Sequence, residues 1–192
     1  MKKDIKTLRQ YARLRKLPEF LQLGDINDDE RLTFLKSVDN TPISNERASE
    51  NREGTYGVEH DNTTPLGKTY NQRHMDSLAT KIDCLEPFIN KFEWRFAELD
   101  PHSSIPKHLD DPYSYRFIVM LEGTHEFHSD EKQVTMKEGQ VWFVNSAFHH
   151  AVHNNTDNKR TALLGKMDVN EHNTGLLPVS YTHLTLPTIC SV

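Results

Sequence analysis

Apolar residues recur at helical intervals in three stretches of the first half of the chain. This spacing predicts two outer helices within residues 1–38 and a third helix over residues 76–90, whose last turn Pro87 disturbs. Between these stretches, residues 39–74 are polar and rich in Asn, Thr, Gly and Pro, which predicts a long irregular segment and a candidate lid over a site. The apolar positions with helical spacing are Ile5, Leu8 and Tyr11 or Ala12, then Leu32, Phe34 and Leu35, and finally Leu78, Ile82, Leu85 and Ile89.

From residue 91 onward, apolar residues alternate with polar ones, as in a β-strand. Asp-Pro, Glu-Gly and Lys-Glu-Gly sequences separate the alternating runs and predict turns. Several short strands in series predict a mainly β fold, a β-sandwich or jelly roll, with flanking helices on its N-terminal side. We expect one domain over residues 1–178, with a helical and loop part at 1–90 and a β core at 91–169. The alternating apolar positions are Phe92, Trp94 and Phe96, then Tyr115, Phe117 and Val119, and then Val141 and Phe143.

The composition narrows the class of protein. Of the 192 residues, 35% are hydrophobic and 27% are charged, and the mean hydropathy is -0.71. No apolar run approaches the roughly 20 residues of a membrane span, and the basic N-terminus lacks the apolar stretch of a secretory signal. We therefore expect a cytoplasmic protein without a membrane partner. The net charge of -5 argues against a nucleic-acid partner, and the oligomeric state stays open.

Residues 179–192 read VSYTHLTLPTICSV and continue none of the patterns that precede them. Their first ten codons can be written as the transposon-end adapter of sequencing libraries, so we expect this segment not to be native and exclude it from the fold. Cys84 is then the one remaining cysteine, which leaves no intrachain disulfide and fits a reducing compartment. We expect Cys84 to be a small apolar residue with a structural role.

His108 and Asp110 are the first candidates for chemistry. They lie two residues apart in a strand-like stretch, so both side chains face the same way. One imidazole nitrogen and one carboxylate oxygen can bind the same metal ion, and a histidine from a distant strand would complete a facial triad with open coordination positions. The distal candidates are His149, His150 and His153, and strand alternation separates His150 from the other two.

A wider pattern carries a resemblance to a known family. His108 and Asp110, the His-Ala-Val that begins at His150 with Asn154 after it, and Arg160 ten residues beyond His150 resemble the aspartyl/asparaginyl β-hydroxylase and proline-hydroxylase family. These are Fe(II)- and 2-oxoglutarate-dependent oxygenases, and the resemblance covers about residues 92–168. It implies a double-stranded β-helix, the jelly roll of cupin-like proteins.

The resemblance also assigns roles. It implies that His108, Asp110 and His150 hold Fe(II), with His153 as the second choice for the distal ligand. Arg160 would pair with the far carboxylate of the co-substrate 2-oxoglutarate, and Arg116 would meet the substrate. One departure is that the family's Arg-x-His after the metal pair reads Arg-Phe-Ile in this chain, without the histidine.

Four further residues of this region invite an interpretation. Trp142 and Asn145 match the family's segment before the distal histidine, although Trp142 is also typical of core packing. His125 and His128 lie in a predicted hairpin, and we expect them to face the solvent.

The predicted function is hydroxylation of an amino acid, or of a side chain in a peptide or protein, with O2 consumed and succinate and CO2 released. Arg116 favours an acidic or carboxylate-bearing substrate. One alternative is a cupin-type metalloprotein that works without 2-oxoglutarate, in which Arg160 would be dispensable. Another is a non-catalytic jelly-roll binding module, which would bind no metal tightly.

Overall fold

Ten strands form two antiparallel sheets in the part of the chain that the structure describes. The structure is a computed structural model, and it describes residues 5–43, 70–75, 77–78, 80–88, 93–110, 112–130 and 132–178. The strands are β1 (Phe20–Asp25), β2 (Tyr70–Met75), β3 (Glu93–Leu99), β4 (Ser103–His108), β5 (Ser114–Glu122), β6 (His125–His128), β7 (Gln133–Met136), β8 (Gln140–Val144), β9 (His150–Asn154) and β10 (Arg160–Asp168). The helices are α1 (Ile5–Leu14), α2 (Asp28–Val38) and α3 (Glu171–Gly175), with a 3-10 helix at Asp83–Leu85.

The larger sheet has the order β1-β8-β5-β10-β3-β2, and the smaller sheet has the order β4-β9-β6-β7. The chain crosses between the sheets at β3 to β4, β4 to β5, β5 to β6, β7 to β8, β8 to β9 and β9 to β10. This is the path of a double-stranded β-helix. The predicted mainly β fold is therefore confirmed. Turns after Glu122 and Glu138 contain glycines with φ of 71° and 84°, as the Glu-Gly and Lys-Glu-Gly sequences predicted.

Both faces of the larger sheet are buried, because strands β3, β5, β8 and β10 carry apolar side chains at odd and even positions. One face packs beneath the helices and the 3-10 turn, and the other faces the smaller sheet across the barrel interior. The helix-covered face includes Trp94, Phe96, Tyr115, Phe117, Val119, Val141, Phe143 and Leu163. The interior face includes Ala97, Leu99, Ile118, Met120, Trp142, Val144 and Ala162, which meet Phe127, Met136 and Val152 of the smaller sheet.

The two outer helices are confirmed, although their buried faces differ from the predicted ones. Helix α1 buries Thr7, Tyr11 and Leu14, whereas Ile5 and Leu8 are 69% and 51% exposed. Helix α2 begins with a capping box, in which the Asn27 side chain accepts from the backbone of Glu30 and the Glu30 side chain accepts from that of Asn27. It buries Phe34 and Val38, and it packs against β5.

The structure differs from the predictions for residues 1–90 in two ways: it has two strands that were not predicted, and the predicted third helix is absent from the described residues. Strand β1 pairs with β8 and strand β2 pairs with β3, so both extend the larger sheet from segments predicted as helical and irregular. The helix predicted over 76–90 is wrong for its described residues, which hold only the 3-10 turn. Ile82, Leu85 and Phe88 are buried at a three-residue spacing that fits successive turns, and Pro87 cannot donate within an α-helix.

Some predictions fall on residues that the structure does not describe. The candidate lid falls mostly on residues 44–69, and the suspected adapter segment is residues 179–192; both lie outside the described residues. Within the described ranges, no helix is long and apolar enough to cross a membrane.

Candidate metal centre

His108, Asp110 and His150 converge at one end of the barrel. His108 ends β4 and is directly paired with His150 at the start of β9. Asp110 lies between them, with its Oδ1 4.0 Å from His108 Nε2 and its Oδ2 3.9 Å from His150 Nε2. One potential ligand atom from each residue lies within 4.8 Å of the other two, so the three residues form a cluster that could hold a metal ion.

An irregularity in β4 turns His108 toward this cluster. Between Ile105 and His108 the pairing with β9 shifts, because three steps along β4 match only two steps from Val152 to His150. Pro106, which has no N–H to donate to a neighbouring strand, lies within this bulge. The extra residue reverses the strand alternation, so that His108 shares the interior side with Ile105.

Backbone carbonyls fix the orientation of both imidazoles. His108 Nδ1 donates to the Pro106 carbonyl oxygen at 2.9 Å, and His150 Nδ1 donates to the Phe148 carbonyl oxygen at 3.1 Å. Because a carbonyl only accepts, Nδ1 of each neutral ring carries the hydrogen and Nε2 keeps the lone pair. Both Nε2 atoms approach the Asp110 carboxylate, which is the arrangement that histidine ligands of a metal ion require.

The protonation states also suit a divalent cation. Burial lowers the pKa of His150 to about 4, with the nearby His108 ring acting in the same direction. Burial raises the pKa of Asp110, but the Arg116 guanidinium, His150 and His108 outweigh it and hold that pKa well below its usual range. At neutral pH the cluster therefore offers a neutral His150 ring and a carboxylate, the forms that bind metals. Two histidines and one carboxylate are the donor set of non-haem Fe(II) sites.

Arg116 and helix α1 hold Asp110 in place. Arg116 Nε donates to Asp110 Oδ2 at 2.9 Å, and its Nη1 donates to Ser114 Oγ. The Tyr11 hydroxyl donates to the Asp110 backbone oxygen at 2.8 Å. The structure thus places Arg116 against the candidate metal ligand, and its contact with substrate stays a prediction.

Arg95 is a second guanidinium of the barrel interior that the sequence analysis missed. It lies on the same side of β3 as Ala97 and Leu99, and its charge helps to lower the pKa of Asp110. Its Nε is buried and has no hydrogen-bond partner among the described residues. The signal for it was present in the sequence, because an arginine between Trp94 and Phe96, followed by Ala97 and Leu99, belongs to a strand with two buried faces.

Arg160 lies on the interior side at the other end of the barrel. It begins β10 opposite Leu99, and Asn154, at the far end of β9, donates to the Leu99 carbonyl. Asn154 lies four residue steps along β9 from His150, about 13 Å at the rise of a strand. Arg160 is 2% exposed, its Nη1 donates to the Ala97 carbonyl at 3.0 Å, and its Nε has no partner among the described residues. Burial lowers its pKa to about 10.

Of the three distal histidine candidates, only His150 reaches the cluster. His153, the second choice, faces outward, where its Nδ1 lies 2.9 Å from Ser104 Oγ and its ring packs against His128. His149 approaches Asp130 at 3.5 Å. The strand alternation from His150 to His153 accounts for this separation.

The remaining candidate residues lie in packed parts of the fold, and one of them, His125, corrects a prediction. His125 is 2% exposed, so the prediction that it faces the solvent is wrong; it shares the interior side of β6 with Phe127, while His128 is half-buried on the other side. Trp142 lies in the interior core, and Asn145 Nδ2 donates to the carbonyls of Leu14 and Pro18. Cys84 packs against Gly24, and burial raises the pKa of its thiol.

Comparisons with known proteins found similarity to cupin domains. Residues 95–164 match the family model of the cupin domain. A Thermotoga maritima protein described as a predicted oxalate decarboxylase is 22% identical, with 52% of this chain and 81% of that chain covered and a TM-score of 0.40. A cupin 2 conserved barrel domain protein from Salinispora arenicola is 19% identical (59% and 87% covered, TM-score 0.41). The Schizosaccharomyces pombe Cnp3 cupin domain is 14% identical (59% and 75% covered, TM-score 0.43).

No protein with a curated description matches the chain. The cupin-domain match covers strands β4 to β9 in full, together with most of β3 and the first half of β10. It thus spans all three residues of the cluster and Arg160. The chain therefore has a double-stranded β-helix fold that includes a match to the cupin domain, and a candidate metal centre lies at one end of its barrel.

Proposed function

We propose that the protein is an Fe(II)- and 2-oxoglutarate-dependent oxygenase of the aspartyl/asparaginyl β-hydroxylase and proline-hydroxylase type. Its substrate would be an amino acid, or a side chain of a peptide or protein. His108, Asp110 and His150 would hold the iron. The metal, with 2-oxoglutarate and O2, supplies the oxidising power that hydroxylates an unactivated C–H bond and yields succinate and CO2.

The observation that carries this proposal is the buried guanidinium of Arg160. A cation that is 2% exposed is costly unless an anion accompanies it, and no described carboxylate forms an ion pair with Arg160. A carboxylate from a bound molecule would accept two parallel hydrogen bonds from such a group. A dicarboxylate that binds the metal with one end has a second carboxylate that needs this partner.

The interior between the two ends supports the same occupant. Ala97 of β3 and Ala162 of β10 are directly paired, face the interior and are fully buried. They are the smallest side chains of the interior core, and they lie between Arg160 and the metal end. The separation of about 13 Å along β9 can be spanned by an arginine side chain and a five-carbon dicarboxylate lying end to end.

The residues around the cluster have defined tasks under this proposal. Arg116 occupies Asp110 Oδ2, which leaves Oδ1 to face the metal. Phe127 stacks on the His150 ring, with the centroids 5.4 Å apart, and keeps water from that side of the ligand. A carboxylate ligand at Asp110 favours hydroxylation over halogenation, because a halide would need that coordination position. The cationic Arg95 and Arg116 favour an acidic or carboxylate-bearing substrate.

A second candidate is a cupin metalloprotein that uses no 2-oxoglutarate. The cupin-domain match over residues 95–164 favours it, because it requires the fold and the metal cluster only. The two candidates can be distinguished by measurement, because a cupin metalloprotein without 2-oxoglutarate has no bound carboxylate for Arg160 to pair with.

The test is an anaerobic titration of the purified protein with Fe(II) and then 2-oxoglutarate, followed through the visible metal-to-ligand charge-transfer band. We expect the band in the unmodified protein, a much weaker one in Arg160→Ala at the same 2-oxoglutarate concentration, and an unchanged one in Arg31→Ala. Arg31 is a matched control, because its side chain is only 14% exposed and contacts the Leu121 carbonyl on the outer side of β5. Iron binding without a band would support the second candidate, and absence of metal binding would exclude both.

A further inference from the structure

Three buried nitrogen atoms at the Arg160 end of the barrel have no hydrogen-bond partner among the residues that the structure describes. They are Arg160 Nε and both ring nitrogens of His125, and each residue is 2% exposed. Leaving a buried polar atom without a hydrogen-bond partner is unfavourable, so three such atoms together are unusual in a core. Their common location indicates a bound polar molecule.

Two observations place His125 near Arg160. His125 begins β6 just after the turn at Gly123, and this turn packs against the start of β10. A side chain at Gly123 would begin 3.0 Å from the Lys159 carbonyl oxygen and 3.4 Å from Arg160 Cα. The positive charge of Arg160 is also close enough to lower the pKa of His125, in addition to the effect of burial. His125 is therefore a neutral ring next to a buried cation.

We propose that His125 and Arg160 together form the binding site for the far carboxylate of the dicarboxylate co-substrate. This inference rests on the proposed function and adds a second anchoring residue to it. The N–H of the neutral imidazole would donate to one carboxylate oxygen, and Arg160 would donate to the other. A water molecule could satisfy the imidazole, but it would leave the charge of Arg160 without a counter-ion.

Tyr70 lies at the edge of the same site. It occupies one cross-strand row with Leu99 and Arg160, and its hydroxyl affects the pKa of Arg160. The Tyr70 hydroxyl oxygen accepts from Gln72 Nε2 at 2.7 Å, so its own hydrogen can point to another acceptor. The bound carboxylate would be that acceptor.

The test compares two co-substrates that share the chelating end and differ at the far end. Dissociation constants for 2-oxoglutarate and 2-oxobutyrate are measured from the charge-transfer band under anaerobic conditions. We expect His125→Phe to weaken 2-oxoglutarate binding about 10- to 100-fold, the effect of one hydrogen bond to a charged group. Binding of 2-oxobutyrate, which has no far carboxylate, should change less than two-fold. His125→Gln, which keeps an N–H donor, should recover most of the affinity.

His153→Phe is the control, because it replaces a histidine on the outer face of the neighbouring strand. Equal weakening of both co-substrates in His125→Phe, or unchanged 2-oxoglutarate binding, would overturn the inference while leaving the oxygenase proposal intact. If the unmodified protein shows no band, glutarate is tested on the metal-free protein by urea unfolding. Stabilisation by glutarate that His125→Phe removes would then support the carboxylate site without the oxygenase, and absence of stabilisation would refute it.

Discussion

Replacing Arg160 with Met should remove co-substrate binding without weakening the fold. Most substitutions of a fully buried residue destabilise a protein. Arg160 is expected to differ, because its charge is desolvated in the ligand-free protein and the structure offers it no described carboxylate. Methionine has a similar length, is apolar and fills irregular interior space.

The magnitude follows from the pKa of the guanidinium. Burial lowers it from 12.5 to about 10, which corresponds to a cost of about 3 kcal/mol for keeping the charged side chain in the folded protein. The side chain is charged in both the folded and unfolded states at neutral pH, so the full cost applies there. The variant also loses the hydrogen bond from Nη1 to the Ala97 carbonyl, which destabilises it by about 1.5–3 kcal/mol and offsets part or all of the gain from removing the charge. The free energy of unfolding should therefore be unchanged or rise by up to about 1.5 kcal/mol.

The assay is urea unfolding of the metal-free protein, with Arg73→Met as the matched control. Arg73 is 2.9 Å from Glu98, a carboxylate whose side chain is 5% exposed, and Lys159 is the other cation on that carboxylate. Arg73→Met should lower the free energy of unfolding by about 1–3 kcal/mol, because the buried Glu98 carboxylate then keeps only one of its two cationic partners. With Fe(II) and 2-oxoglutarate at 100 times its Kd, the unmodified protein should gain about 2.7 kcal/mol and Arg160→Met should gain little from the co-substrate.

A loss of more than about 2 kcal/mol in metal-free Arg160→Met would refute this reasoning. It would mean that Arg160 has a stabilising partner within the protein, and its role as the partner of a bound carboxylate would lose its physical basis.

Three further predictions concern other parts of the molecule. Arg116→Lys keeps the charge but loses the planar donor that orients the metal-ligand carboxylate, so Fe(II) affinity should fall about 10- to 100-fold in a competition with a chelating dye. His125 has a pKa well below its ordinary value of 6.5, so the unfolded chain binds a proton that the folded chain does not as the pH falls through that value. The metal-free protein should lose up to about 1.4 kcal/mol per pH unit from this group, and urea unfolding at pH 7 and pH 5 should show a smaller loss in His125→Gln. Finally, Gly165→Ala would place its Cβ 2.6 Å from the buried Trp94 ring and should lower the unfolding free energy by about 1–3 kcal/mol, whereas Gly175→Ala, with nothing within 4 Å, should be neutral or stabilising.

The alternation of apolar residues predicted the β core, because a strand with a buried face carries an apolar side chain at every second position. In β3, β5, β8 and β10 the positions between them are apolar as well, since both faces of the larger sheet are buried. The apolar spacing failed for β1, whose sequence FLQLGD lacks clean alternation and which is held in the larger sheet by its pairing with β8. It also failed at residues 76–90, where the spacing of Leu78, Ile82, Leu85 and Ile89 was interpreted as α-helical, whereas the structure buries Ile82, Leu85 and Phe88. A spacing of three fits a 3-10 turn equally well, so only the tertiary packing distinguishes the two.

The candidate site could be predicted in its chemistry but not in its geometry. The His-x-Asp spacing places His108 and Asp110 together. The bulge in β4 then turns His108 to the interior side, where it lies opposite His150 rather than beside His149 or His153. The sequence marks this bulge only by Pro106. The burial of His125 was not predictable from its hairpin position, because alternation alone does not say which side of a strand faces the interior. Arg95 was overlooked for a different reason, because the apolar residues on both sides of it do mark a strand with two buried faces.

The charges of the barrel interior favour a dianion as its occupant. Asp110 is the one carboxylate of the metal cluster, and Arg116 already donates a hydrogen bond to it. Arg95 and Arg160 each have a buried Nε without a partner in the described part of the chain. A divalent cation bound by the cluster would add two more positive charges to an interior of low dielectric constant, where such charges repel strongly. A monocarboxylate at the metal would leave Arg160 uncompensated, whereas a dicarboxylate balances both ends at once. Metal and dicarboxylate should therefore bind with positive coupling, each raising the affinity for the other.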